Sequence, residues 1–167
     1  MKFNKFLKFK VFFILISYPL CFNLPTANAA EEIKITYSIF SRTITVNSLK
    51  TFAKEGKSKR KLKKILTATG SPDKEIREVL NKDFELPITI ASKLLYSEIG
   101  NVFLTRLSSI IHTPRAKDER TGVLALRASV IQGIKKGNGK INLINFFEEY
   151  PTKTVILDVS ALSKVMN

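Results

Sequence analysis

The stretch from Gly122 to Lys136 constrains the fold more than any other part of this 167-residue chain. Its apolar residues Val123, Leu124, Ala125, Leu126, Ala128, Val130, Ile131 and Ile134 recur at helical spacing, yet they cover most of a helix circumference. Such a helix cannot lie on a surface with one face in water, so it has to be central, with other elements packed around it. One residue breaks the pattern. Arg127 places a guanidinium in the middle of the apolar run, where an uncompensated charge is prohibitive. It is therefore read as a buried structural charge, paired with a carboxylate such as Asp83, Glu98 or Asp158, or holding an anion.

The elements that could surround this helix follow from periodicity and punctuation. Ile33, Ile35 and Tyr37 alternate with polar neighbours, as do Ile44 and Val46, which is the period of half-buried strands. The two runs predict a hairpin turning near Phe40 and Ser41. Asn47 or Ser48 can cap a short helix through Leu49, Phe52 and Ala53 that stops at Gly56. Ser58 can cap a second, with Leu62, Ile65 and Leu66 inward. Ser71 and Pro72 open a third, running to about Lys82 with Ile76, Val79 and Leu80 inward. On its outer side Asp73 precedes Arg77, and Glu78 precedes Lys82, at the spacing of helix ion pairs.

A further helix starts at Leu86 and Pro87, and Ser97 caps the next, with Ile99, Phe103, Leu107, Ile110 and Ile111 on its inner side. The polar segment from Thr113 to Thr121 reads as a mobile loop and a protease target. After Gly137, Asn138 and Gly139, Asn142 caps a last short helix through Leu143, Phe146 and Phe147, which Pro151 ends. Lys153 to Val159 is rich in Val, Ile and Thr and reads as a strand added to the N-terminal hairpin. The fold class is α+β, mostly α, with about six helices packed against a small sheet of that hairpin and the C-terminal strand.

The first part of the chain reads as an address. Lys2, Lys5, Lys8 and Lys10 precede a largely apolar run from Val11 to Leu24, and Ala27 and Ala29 supply small residues in an A-x-A pattern. These are the three parts of a secretory signal peptide, 1–29, with cleavage expected after Ala29. A retained anchor is the competing reading, but the run is shorter than the roughly 20 residues that span a bilayer, and Pro19 and Asn23 interrupt it. A lipoprotein signal at Cys21 would need a small residue where Leu20 stands. Export to the periplasm, a lumen or the exterior is thus expected, leaving 30–167 as a single helical accessory domain with no transmembrane span. It would contain no cysteine and one histidine, His112. That excludes disulfides, cysteine nucleophiles and most zinc sites.

Without the four leader lysines the chain keeps 24 basic residues against 14 acidic ones, a net charge of +10. Outside the cytoplasm the expected anions are lipid head groups, envelope polymers or an acidic protein, not nucleic acid. The charge is concentrated in Lys57, Lys59, Arg60, Lys61, Lys63 and Lys64, six cations within eight residues on a short amphipathic segment. These residues are the candidate anionic-surface site; a solvated helix face is the plainer reading.

Catalytic motifs are missing. A nucleophile elbow needs G-x-S-x-G so that small neighbours let the strand turn sharply beneath the serine. The nearest approach, Gly56 to Arg60, lacks the second glycine. Gly133 to Lys140 has the wrong spacing for a phosphate loop. Glu148 and Glu149 are adjacent, so on a helix they diverge by about 100° and suit a solvated helix end better than paired acid–base work. His112 reads as a helix-end residue favoured by the dipole, and Glu98 as a first-turn acid. No catalytic, metal or cofactor-binding set is assigned, and no cofactor is expected.

Several segments read in order are familiar. The strand pair, Val46 to Gly56 (VNSLKTFAKEG), Leu94 to Gly100 (LLYSEIG), Ala125 to Ala128 (ALRA) and Phe146 to Asp158 (FFEEYPTKTVILD) resemble a cyanobacterial family of unknown function found at the N-terminus of secreted α/β-hydrolases. The resemblance implies an exported helical accessory domain. It also implies that the serine elbow and triad belong to a catalytic region that this chain does not contain. The leading reading is a non-catalytic accessory or interaction domain serving a hydrolase chain or the envelope surface. The alternatives are a truncated or split α/β-hydrolase whose catalytic half lies elsewhere, and a basic module for anionic lipid or polymer.

Overall fold

The computed structural model describes residues 29–114 and 119–161. All but the last residue of the expected leader, and residues 115–118 of the expected polar loop, lie outside the described residues. In chain order the elements are β1 (Glu32–Tyr37), β2 (Phe40–Thr45), α1 (Val46–Glu55), α2 (Arg60–Thr69), α3 (Asp73–Asn81), β3 (Phe84–Glu85) and α4 (Ile88–Leu95). Then follow α5 (Glu98–Ser108), β4 (Ile111–His112), α6 (Glu119–Lys136), β5 (Lys140–Ile141), α7 (Leu143–Glu148) and β6 (Thr154–Asp158). This is the α+β arrangement expected, with α1 to α7 and a further helical stretch at 159–161 among the described residues.

The alternating strands pair as their apolar faces require. β1 and β2 are antiparallel with Ile33 opposite Ile44, both buried, and β6 joins β1 in parallel with Val155 beside Ile33. The turn falls at Ser38 and Ile39, two residues earlier than the sequence suggests, because pairing Ile33 with Ile44 sets Tyr37 opposite Phe40. β4 pairs antiparallel with β6, so the main sheet runs β2-β1-β6-β4. β3 and β5 form a separate two-stranded ladder.

α6 is the hub. It packs against α4, α5, α7, β4 and β5, and it buries Val123, Ala125, Leu126, Ser129 and Ile134. It begins at Glu119, three residues before the predicted start, with Glu119 in the first turn where the helix dipole favours an acid. Ser129, fully buried, donates its hydroxyl proton to the Phe146 carbonyl, so the one polar side chain buried on this helix is satisfied by α7. Phe146, Phe147 and Tyr150 pack edge-to-face beneath it.

Several caps differ from expectation. Thr45, not Asn47 or Ser48, caps α1 by accepting from the Ser48 amide at 3.1 Å. α2 begins behind Lys59, without a side-chain cap from Ser58, and Pro72 occupies the cap position of α3. Ser97 and Asn142 cap α5 and α7 as predicted. On α3, Leu80 is buried but Val79 is exposed. The predicted Asp73–Arg77 pair is replaced by a more demanding task. Arg77 donates from Nε to the Ala53 carbonyl at 3.2 Å and from Nη2 to Lys54 at 3.0 Å, and Asn81 adds a bond to Ala53 at 2.8 Å. These carbonyls end α1 and have no partner within their own helix, so bonding them outweighs an exposed ion pair.

The largest departure is the setting of α5. Gly100, Leu104 and Ser108 face inward, whereas the expected inner residues Ile99 and Phe103 are 79% and 62% exposed. Backbone proximity explains it. A Cβ at Gly100 would sit 1.9 Å from the Leu94 carbonyl oxygen, and one at Gly122 would sit 2.8 Å from Ser108 Cβ. The small-residue stripe must therefore point at α4 and α6, and the large residues point away. Gly100→Ala is expected to lower stability by about 3 kcal/mol, since backbone has to shift to admit the methyl; the midpoint of denaturant unfolding measures it.

Candidate functional site

The α4–α5 corner concentrates the features that packing leaves unexplained. Only Tyr96 and Ser97 join the two helices. Ser97 Oγ accepts from the Gly100 amide at 3.0 Å and donates to the Leu94 carbonyl at 2.7 Å, closing the end of one helix and the start of the next. Around this rigid corner lie Ile90, Leu94, Tyr96, Ile99, Val102 and Phe103, each more than half exposed, with Leu124 of α6 at 52%. Ile90 and Leu94, and Ile99 and Phe103, stand four residues apart and so share a helix face. An exposed leucine alone means little, but six large exposed apolar residues on two consecutive helices make a candidate interaction surface. Exposed Lys93, Arg106 and Arg120 nearby in the chain carry positive charge, and exposed Glu98 and Glu119 carry negative charge.

Arg127 secures the corner from beneath. It is half-buried, and its Nε donates to the Leu95 carbonyl at 3.0 Å while Nη2 donates to Asn101 Oδ1 at 2.9 Å. Its guanidinium also lies 4.7 Å from the centre of the Tyr96 ring. The carboxylate partner expected from the sequence is replaced by neutral ones. A cation at the C-terminal end of α4, with water on one side, needs no full counter-charge, because the helix-end carbonyls and the aromatic face supply negative potential. A cavity of about 390 Å³ opens beside it, lined by Asn101, Thr105, Glu119, Arg120, Leu124 and Arg127 among others. Arg127→Ala is expected to destabilise the fold by about 1–2 kcal/mol, seen as a lower Tm, with Arg127→Lys falling between because an ammonium cannot span both acceptors.

The basic cluster lies elsewhere. Lys57, Lys59, Arg60, Lys61, Lys63 and Lys64 are all exposed, while Leu62 and Leu66 on the opposite side of α2 are buried. Among the described residues, Lys57 alone of the six is ion-paired, to Glu55 at 3.0 Å. α2 packs on β2.

The acidic doublet is tied up in structure. Glu148 bonds Lys50 at 2.5 Å and Lys136 at 2.9 Å, and Lys136 also reaches Glu149 at 2.8 Å. This network bridges α1, α6 and α7 at the edge of a second cavity of about 290 Å³. Burial raises the Glu148 carboxyl, but the hydrogen bonds from Lys50 and Lys136 outweigh it and hold the group below the ordinary carboxylate range. Glu149 chiefly holds the Lys136 ammonium above its usual value. His112 lies in β4 and not at a helix end, with Nδ1 3.0 Å from the Thr113 carbonyl oxygen. Glu98 occupies the first turn of α5 as predicted. Among the described residues, no cluster of three or more His, Cys, Asp or Glu could hold a metal ion, and no helix is long and apolar enough to cross a membrane.

The corner is hidden in the sequence because Ile99, Phe103, Leu107 and Ile110 satisfy an inward stripe by themselves. The rival signal was present. Gly100, Leu104 and Ser108 form a second stripe of smaller residues on the same helix, and a helix with two stripes has one to spare.

Residues 29–158 match the family model described as alpha/beta hydrolase of unknown function (DUF1400). The chain belongs to this family. No curated protein and no solved structure matches it. Within the DUF1400 segment fall α1 to α7 and both sheets, so the family covers the corner, the basic helix and the ion-pair network alike.

Glu148 provides a test of the network. Because its folded pKa is depressed, its contribution to stability is complete above the unfolded value and is lost as pH falls through the folded one. Glu148→Gln is expected to lower stability at neutral pH by on the order of 1 kcal/mol, seen as a lower Tm, with the difference from the parent shrinking below about pH 4. Thermal melts across that range measure it.

Proposed function

We propose that this chain is an exported, non-catalytic accessory domain of the alpha/beta hydrolase family, which holds a hydrolase catalytic chain against its α4–α5 corner. The observation that carries the reading is the solvent-exposed patch formed by Ile90, Leu94, Tyr96, Ile99, Val102 and Phe103. Apolar anchors on rigid helices at the centre, with charged residues at the rim, have the anatomy of a protein interface. Lys93, Arg106 and Arg120, with Glu98 and Glu119 among them, call for a partner whose apolar patch is bordered by charges of both signs.

The family label supports a hydrolase as that partner. Hydrolase chemistry of this kind rests on a serine presented by G-x-S-x-G, and this sequence contains no such element. A chain that carries the motif would therefore supply the nucleophile, and the corner would position it. Export through the leader 1–29 would bring both chains to the same compartment. The same reading covers a split hydrolase, in which the two chains form one functional unit.

Capture from the native envelope fraction, followed by labelling with a fluorophosphonate, tests this. The expected result is recovery of a labelled chain containing G-x-S-x-G, reduced at least tenfold by Ile99→Ser combined with Phe103→Ser, with the melting curve unchanged. Recovery of no labelled chain, or recovery indifferent to the double variant, would overturn the assignment. Esterase turnover by the purified chain alone would overturn its non-catalytic part.

A further inference from the structure

We infer that the tip of the β1–β2 hairpin and the basic helix α2 together form an attachment surface for an anionic lipid bilayer. The tip is unusual in composition. Two-residue hairpin turns favour Asn, Asp and Gly, yet here Ser38 is followed by Ile39, which is 89% exposed, and the flanking pair is Tyr37 and Phe40, at 60% and 66%. Ser38 takes a φ of 53°, in the left-handed region, and its amide donates to Ser160 Oγ at 2.7 Å. The apolar tip is thus held by a defined turn and braced from the C-terminal segment.

Charge lies along the same strand. β2 leads from the tip through exposed Arg42, and α2, which carries the exposed cations Arg60, Lys61, Lys63 and Lys64, packs against this same strand. A strand of six residues is only about 20 Å long. No acidic residue occurs between Gly56 and Pro72. A bilayer matches this layout in a way that a purely anionic polymer does not. Head groups neutralise the cations in a plane, while the acyl region just beneath accepts Ile39, Phe40 and the ring of Tyr37. The tip and α2 share no residue with the α4–α5 corner, so this inference stands or falls separately from the hydrolase partner.

The test is co-sedimentation of the full chain, as recovered from expression, with vesicles of phosphatidylglycerol and phosphatidylcholine or of phosphatidylcholine alone. Binding is expected on the anionic vesicles in excess of the neutral ones, and it should weaken as salt rises above about 0.1 M. Lys61→Gln with Lys64→Gln should reduce partitioning about 25-fold, roughly fivefold for each charge. Ile39→Ser with Phe40→Ser should reduce it about tenfold or more, with an unaltered melting curve showing that the fold persists. Equal binding to both vesicle types would overturn the inference, as would binding that survives either double variant. Retention on dextran sulfate with no response to the tip variant would also overturn it, since the cations would then recognise an anionic polymer without lipid.

Discussion

Two helix ends that face protein instead of water set the terms for the rest of the structure. The last carbonyls of an α-helix have no partner in their own helix, and leaving one buried and unmet costs about 1–3 kcal/mol. At the end of α1, Ala53 and Lys54 are met by Arg77 and Asn81 of α3. At the end of α4, Leu95 is met by Arg127 of α6. Each bond ties an end to a different helix, so it orders two elements at once. The group of α1, α3 and α7 and the group of α4, α5 and α6 both depend on such crossings.

What the molecule displays follows from how closely these groups pack. Gly100 lies against the Leu94 carbonyl, and Gly122 against Ser108, so α5 can approach its neighbours only with its small residues inward. The large ones on the same helix are then turned outward, whatever their hydrophobicity. The exposed corner is thus a consequence of tight backbone contact, and its residues are held by helices instead of loops. A site built on rigid elements presents a defined shape to a partner. The hairpin tip is held in a different way, by the pairing of Tyr37 with Phe40 and by the bond from the Ser38 amide to Ser160.

Much of the architecture was legible in the chain. The period of Ile33, Ile35 and Ile44, the caps at Ser97 and Asn142, and the Val-Ile-Thr run at the C-terminus led to the right elements, and to β6 beside the hairpin. The central helix was recognisable because apolar residues cover most of its circumference. The candidate site was far less legible. Ile99 and Phe103 obey the inward rule perfectly well, and nothing local shows that Gly100 comes closer to another backbone. Arg127 stands out in the sequence as a charge needing partners, but its partners are a backbone carbonyl, an amide and an aromatic ring, not a carboxylate. A carbonyl at a helix end is invisible to a search for ion pairs, since every residue has one. The role of Arg77 is hidden for the same reason, as its spacing from Asp73 suggests an exposed pair.

Local chemistry is written in order along the chain, and so the sequence by itself determined β1, β2 and β6, the helices, the exposed basic stretch and membership of the hydrolase family, whereas the short strands β3, β4 and β5 exist only through their tertiary pairing. It also determined that no serine elbow is present, because that motif is a matter of spacing within five residues. Which face each helix turns to water was decided only by the tertiary structure. Burial on a helix depends on how near other backbones come, and that distance is set by residues far away in sequence. Ile99 and Phe103 were apolar from the start; the contact of Gly100 with Leu94 and of Gly122 with Ser108 placed them outside.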